Sequence, residues 1–201
     1  MSEGADTKLF SAYGEELTAL RSSSGVTLRG AGPIGTYHVD RDDGPSIRTT
    51  AELDGAVADA ELIFLTGPVH KQRTYSMVLA DHLKDGQVLV VAPGRSLGAL
   101  ETAWLLRIGG CTADVTIVEA QGLPYWYDEA GSILTLSQAA SMPAATLPSG
   151  RSETLSALKK YFPNLVMFDS VLASGFSDGS ALVEVPTLMM GGAALQSGAI
   201  S

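Results

Sequence analysis

The sequence predicts an α/β fold built on a parallel sheet with helices on both faces. Three observations carry that expectation. Leu62–Leu65, Val88–Val91 and Val115–Val118 are short, unbroken apolar runs of the kind shown by strands buried on both faces. The stretches between them place apolar residues at helical spacing. Strand, helix, strand, helix, strand is a βαβαβ unit, whose strands run parallel because each crossover returns the chain to the same end. A length of 201 residues suits one domain of this kind.

Each element follows from its local pattern. Thr7–Phe10 reads as a short strand and Tyr13–Arg21 as a helix with Leu17 and Leu20 on one side. Val26–Arg29 and Thr36–Asp40 read as a strand pair, and Glu52–Ala58 as a short helix ending in a charged turn. After Leu62–Leu65, the stretch Val69–Leu83 puts Tyr75, Val78, Leu79, His82 and Leu83 on one helical face, and Asp85-Gly86 closes it. After Val88–Val91, Leu97, Leu100, Trp104, Leu105 and Ile108 form a second face, capped by Gly109-Gly110. Beyond Val115–Val118, Ile133–Leu136 and Ala144–Leu147 read as strands. Thr154–Tyr161 reads as a helix stopped by Pro163, and Val166–Phe168 as a last strand. Leu182–Ser201 is an apolar, glycine-containing tail that needs a partner surface to bury it.

Composition excludes several classes of function. Thirteen Lys and Arg against 22 Asp and Glu give a formal net charge of −9. That balance argues against nucleic acid or an anionic membrane as partner, because phosphate binding is driven by cationic side chains. The single cysteine, Cys111, permits no intrachain disulfide and points to a cytoplasmic setting. It reads as buried and inert. No run reaches the ~18 uninterrupted apolar residues of a membrane helix, and the acidic start Met1–Asp6 lacks the apolar core of a signal peptide. His38, His70 and His82 are scattered, so no metal-ligand spacing exists. A G-x-S-x-G nucleophile elbow is also missing, which argues against a hydrolase.

One motif invites a misreading. Gly30-Ala31-Gly32-Pro33-Ile34-Gly35 spells G-x-G-x-x-G. A phosphate-binding glycine loop must lead straight into a helix, so that N–H groups and the helix dipole face the pyrophosphate. Here Thr36–Asp40 alternates like a strand, and Pro33 removes one donor. A glycine-rich hairpin turn is the expected structure.

Two longer segments carry a family resemblance. Gln87–Glu101 reads as a strand running into Pro93-Gly94-Arg95 and on through Gly98-Ala99-Leu100-Glu101. Ala113–Tyr125 reads as a strand ending in Glu119-Ala120-Gln121-Gly122-Leu123-Pro124-Tyr125. Together they resemble the nucleotide-binding domain of the opine dehydrogenases, the octopine and nopaline type. Leu62–Pro68 followed by His70, Ala144–Pro148 and Tyr161–Pro163 add further matches, so the resemblance covers roughly residues 7 to 190. Ketopantoate reductases share the layout but match these two loops less well.

The resemblance implies a Rossmann-like fold that lacks its first strand and fingerprint helix, because Ser2–Phe10 looks like the turn that follows them. It implies an incomplete dinucleotide-binding domain over residues 1–173 and the start of a truncated helical domain over 174–201. The family's catalytic His would fall near Val183, where this sequence has neither His nor Asn. The catalytic base is therefore unassigned. The implied activity is reductive condensation of an amino acid with a 2-oxo acid, using NAD or NADP. Two alternatives are a non-catalytic subunit that binds a partner, or another copy, through its apolar tail, and a ketopantoate-reductase-like 2-oxo acid reductase.

In such folds ligands lie across the carboxyl ends of the strands. Candidate cofactor contacts there are Thr66, Gly67, Pro68 and His70 after one strand, Pro93 and Gly94 after the next, and Gln121 after the third. Free N–H groups of the second loop and Arg95 suit a carboxylate or phosphate; the competing role for Arg95 is an ion pair with Glu101 or Glu119. Tyr125 is the second candidate substrate contact, and Trp126 beside it belongs to an aromatic cluster suited to a pocket wall. His82 reads as a packed core histidine, His38 as structural, and Trp104 as part of the core stripe. Ser11 falls where NAD enzymes place an acidic residue, which tilts the cofactor preference toward NADP.

Overall fold

A computed structural model describes residues 4–23, 25–44, 46–95, 97–138 and 141–177, together with Gly179, Leu182, Val185, Pro186, Met189 and Gly191. In chain order the elements are β1 (Lys8–Phe10), α1 (Gly14–Ser22), β2 (Gly25–Gly30), β3 (Gly35–His38), β4 (Arg48–Thr50), α2 (Leu53–Val57), β5 (Leu62–Leu65) and α3 (Val69–Leu79). They continue with β6 (Val88–Val91), α4 (Gly98–Ile108), β7 (Thr116–Ala120), β8 (Tyr125–Ala130), β9 (Ile133–Gln138), β10 (Met142–Leu147), α5 (Ser152–Leu158), β11 (Leu165–Met167) and α6 (Val171–Ser177).

The main sheet has the order β11-β10-β7-β6-β5. β5, β6 and β7 run parallel, as the βαβαβ pattern requires. Their side chains alternate between two cores, because successive residues of a strand point to opposite faces. Leu89, Val91 and Ile117 face a core closed by Val57 of α2, Leu79 of α3, Ala99 and Leu106 of α4, and Val171 of α6. Val90, Val118 and Ala120 face the other core, closed by Leu155 and Leu158 of α5. Each fully buried Leu or Val contributes about 1.5–3 kcal/mol, so these two layers dominate the stability of the body.

The sheet is not parallel throughout. β10 runs antiparallel to β7, and β11 is parallel to β10. The chain leaves β7 through the β8–β9 hairpin and comes back to the same end of the sheet, where Gln121 N–H donates to Pro143 O. A parallel neighbour needs a crossover to the opposite end, and the hairpin supplies none. β4 and β8 are further additions to the sequence reading. β4 pairs parallel with β1, and the β8–β9 hairpin joins the β2–β3 hairpin in a sheet of order β3-β2-β9-β8. Gly30–Gly35 makes the hairpin turn between β2 and β3, with Leu28 opposite Gly35.

Helices α3 and α4 depart from their predicted faces. α3 ends at Leu79 rather than Leu83, and its buried face holds the polar Gln72 and Ser76 beside Leu79. α4 is apolar nearly all round. It buries Ala99, Thr102 and Leu106, while Leu100, Trp104 and Ile108 lie on the solvent side. Trp104 is 62% exposed and does not belong to the core. Small residues win the inner face because α3 and α4 approach closely: a Cβ on Gly109 would stand 2.5 Å from Ala80 Cβ. The predicted boundary at residue 173 falls inside α6. Among the described residues, no helix is long and apolar enough to cross a membrane, and no group of three or more His, Cys, Asp or Glu could hold a metal.

Candidate functional site

The loops that leave the ends of β5 and β6 meet at one side chain. Gln72, buried in the first turns of α3, donates from Nε2 to Gly67 O at 2.8 Å and to Pro93 O at 3.2 Å. The Gln72 backbone carbonyl accepts Ser76 Oγ at 2.8 Å. A single amide thus fixes the spacing of both loops, and nothing in the periodicity of the sequence marks it. Beside it a cavity of about 400 Å³ opens between α3 and α4, bordered by Val69, Arg73, Gly94, Arg95 and Thr102.

The turn after β6 is strained and tightly held. Arg95 has φ 39° and Leu97 φ 78°, left-handed values that cost non-glycine residues of order 1–3 kcal/mol each. The restraint comes from Glu119, at the end of β7. This residue is fully buried, and its carboxylate accepts Ala99 N–H at 2.8 Å, Gln121 Nε2 at 2.6 Å and, more weakly, Ser174 Oγ at 3.4 Å. Burial pushes its carboxyl above the ordinary range, and the hydrogen bonds from Ala99, Gln121, Leu97 and Ser174 oppose that shift. The N–H groups expected to hold a ligand anion are therefore not all free: the positive end of α4 already meets an internal carboxylate. Gln121 Oε1 is buried and has no partner among the described residues.

The structure redistributes several sequence-predicted residues. Thr66, Gly67, Pro68 and His70 are exposed at the end of β5. At Gly67, with φ 101°, an added Cβ would meet nothing within 4 Å. Gly94 is different: its Cβ would stand 2.6 Å from Glu119 Cγ, so the glycine serves internal packing. Arg95 is exposed at the cavity. Of the two carboxylates considered as its partners, Glu101 accepts Arg73 Nε at 2.6 Å and Glu119 is buried. Tyr125 opens β8 and does not border the cavity. Its ring lies over Gly32, where a Cβ would come within 2.6 Å of Cε1. Trp126 is 70% exposed and borders no described cavity.

His82 is half-buried and paired with Asp54 of α2 rather than packed among apolar groups. His38 lies on β3 opposite Gly25. Cys111 is half-buried against the core and free. The position near Val183, where the resemblance would put a catalytic His, lies outside the described residues, as do Thr187, Leu188, Met190 and Ala193–Leu195 of the tail.

At the end of β1, Ser11 is buried. Its Oγ donates to Glu16 Oε2 at 2.7 Å and accepts Tyr13 N–H at 3.1 Å. Lys71 of α3 reaches across, with Nζ 3.7 Å from Glu16 Oε1 and 4.2 Å above the Tyr13 ring. Phe10 meets Tyr75 edge-on at 5.8 Å between centroids. The end of β1 and the first half of α3 thus share one cluster. Of the residues that sequence reading missed, Glu119 alone left a signal: a charge at the end of an otherwise apolar buried strand.

The comparisons bear on this arrangement. No protein-family model matches the chain. An opine dehydrogenase from Arthrobacter sp. (strain 1C) is 24% identical over 179 residues, covering 87% of this chain and 48% of that protein. This chain resembles the opine dehydrogenases. An octopine dehydrogenase solved with NADH and pyruvate shares the fold with a TM-score of 0.70 at 16% identity, covering 95% of this chain and 50% of that one. NADP+-bound yersinopine dehydrogenase gives 0.62 at 14% identity, covering 92% and 46%. The chain spans about half the length of the opine dehydrogenases it matches.

Proposed function

We propose that this chain is a dinucleotide-binding part of an NAD(P)-dependent oxidoreductase of opine dehydrogenase type. The observation that carries the reading is the convergence of the β5 and β6 loops on Gln72, beside a cavity, in a chain whose sequence matches an opine dehydrogenase over most of its length. In the reaction, an amino acid's amine and a 2-oxo acid lose water to give an imine. A nicotinamide dinucleotide, held by the loops after β5 and β6, would supply the hydride equivalent that reduces the imine, with a proton going to nitrogen.

The described residues fit one end of such a cofactor. Thr66–Pro68 and His70 present an exposed loop, and the open space at Gly67 allows a flat group to approach the backbone. Gln72 and Glu119 act behind them. They hold the loops without being exposed themselves, which preorganises the contact surface. Pro93 and Gly94 shape the second loop, Gln121 borders the third, and Ser11 lies at the neighbouring strand end. Arg95, at the cavity mouth, is the residue we assign to a substrate carboxylate. Tyr125, tied to Gly32, forms a wall at most. An amino acid and a 2-oxo acid are the proposed substrates, in a cytoplasmic setting. Taken alone, Ser11 favours NADP.

The test is a titration of the purified chain with NADH and NADPH, followed by nicotinamide fluorescence. Saturable binding of either supports the reading, and no binding of either counts against it. A second reading, a subunit that docks on a partner or another copy, draws on exposed apolar residues at the end of the described chain: Phe176 (82%), Leu182 (81%) and Met189 (81%). A monomer in analytical ultracentrifugation argues against self-association.

A further inference from the structure

The cluster at the end of β1 bears on which dinucleotide is taken. β4 and β1 form a parallel pair of their own, apart from the sheet that holds β5, β6 and β7, and the resemblance to dinucleotide-binding sheets of order 3-2-1-4-5-6 puts β1 in second place. In that order a carboxylate after the second strand accepts hydrogen bonds from the adenosine ribose. The strand-end residue here is the neutral Ser11, but Ser11 is buried and its hydroxyl is spent on Glu16 and on the start of α1. The group presented to solvent is the Glu16 carboxylate, 58% exposed, returned to the strand end by the first turn of α1.

We propose that Glu16, fixed by Ser11, selects a dinucleotide with a free ribose 2′-hydroxyl over one bearing a 2′-phosphate. The inference rests on the dinucleotide reading above. Lys71 is the cation described beside the cluster, and its charge is already engaged by Glu16 at 3.7 Å and by the Tyr13 ring at 4.2 Å. Glu15 adds another negative charge in the same turn. Among the described contacts of this cluster, a 2′-phosphate therefore meets a held carboxylate and a Lys71 already engaged by it, whereas a 2′-hydroxyl can donate to Glu16. Like charges held within a few ångströms near a protein surface weaken binding roughly ten-fold or more. This reverses the preference that Ser11 suggests by itself.

The experiment measures Kd for NADH and NADPH on the 201-residue chain, its Glu16→Gln variant, its Lys71→Ala variant and the double variant. The expected result is NADH bound roughly ten-fold or more tighter than NADPH by the unaltered chain. Glu16→Gln should bring the two Kd values together by releasing Lys71 for the phosphate. Adding Lys71→Ala should remove the NADPH affinity so gained. Lys71→Ala alone should move the ratio further toward NADH, which keeps the test open if Glu16→Gln fails to fold. NADPH preferred by the unaltered chain, or a ratio that neither substitution moves, overturns the inference alone. If neither dinucleotide binds, the dinucleotide reading falls and the inference falls with it.

Discussion

Gly94→Ala separates a packing role from a ligand-facing one. The new Cβ would sit 2.6 Å from Glu119 Cγ, 3.1 Å from Val91 O and 3.4 Å from Ala120 O. Carbon atoms in good contact stand about 3.5–4.0 Å apart, so the overlap with Glu119 is roughly 1 Å. Neither side can easily yield. Gly94 N–H is bound to Ala120 O at 2.6 Å, and the Glu119 carboxylate is held by Ala99 and Gln121. Overpacking of this kind costs about 1–3 kcal/mol, and the two restraints place Gly94→Ala in the upper half of that range. Urea unfolding reads it as a lower midpoint at unchanged slope. Gly67→Ala is the comparison, because its Cβ meets nothing and its cost is the left-handed backbone alone, about 1 kcal/mol. A Gly94→Ala protein within about 0.5 kcal/mol of the parent would refute the argument that Glu119 is pinned beneath the turn.

Three more predictions concern the same framework. Burial raises the Glu119 pKa above its ordinary 4.5, so the folded state holds that proton more tightly than the unfolded chain. Its contribution to stability is then full below pH 4.5 and is lost as pH rises through the raised value; melting curves of the parent and the non-titrating Glu119→Gln should diverge in that direction. A gap independent of pH contradicts the assignment. Gln72→Ala removes the donor shared by Gly67 O and Pro93 O and should cost about 2–3 kcal/mol, with faster hydrogen exchange in residues 92–99 as its signature. Trp104→Ser, on the exposed side of α4, should change stability by no more than about 0.5 kcal/mol; a loss of several kcal/mol would return Trp104 to a core.

The parallel heart of the fold was legible because β6 and β7 are buried on both sides, and burial writes itself as unbroken apolar runs; β5 carries the same kind of run although Phe64 is exposed. The hairpin turn at Gly30–Gly35 was legible because a glycine loop without a following helix has only one economical use. The faces of α3 and α4 were not. Gln72, Ser76 and Thr102 are buried polar residues whose hydrogen bonds are made inside the protein, and hydropathy cannot anticipate such satisfaction. Leu100, Trp104 and Ile108 form a regular stripe that lies outside, because close helix packing selected Ala99 and Thr102 for the inner side. Three loops were placed at strand ends from pattern alone. That Glu119 ties two of them together depends on contacts across the fold that no local spacing encodes.

The Glu119 carboxylate also bears on where this body can be divided. Ser174 of α6 reaches it, and Gly175 lies so close to the cavity turn that a Cβ there would stand 2.9 Å from Leu97 Cδ2. Helix α6 therefore meets β7 at Ser174 and the cavity turn at Gly175. Pulling α6 away strips a hydrogen bond from the buried acid and uncovers Leu97 in the same motion. Ser174 and Gly175 of α6 thus belong to the same packed body as β7 and the cavity turn.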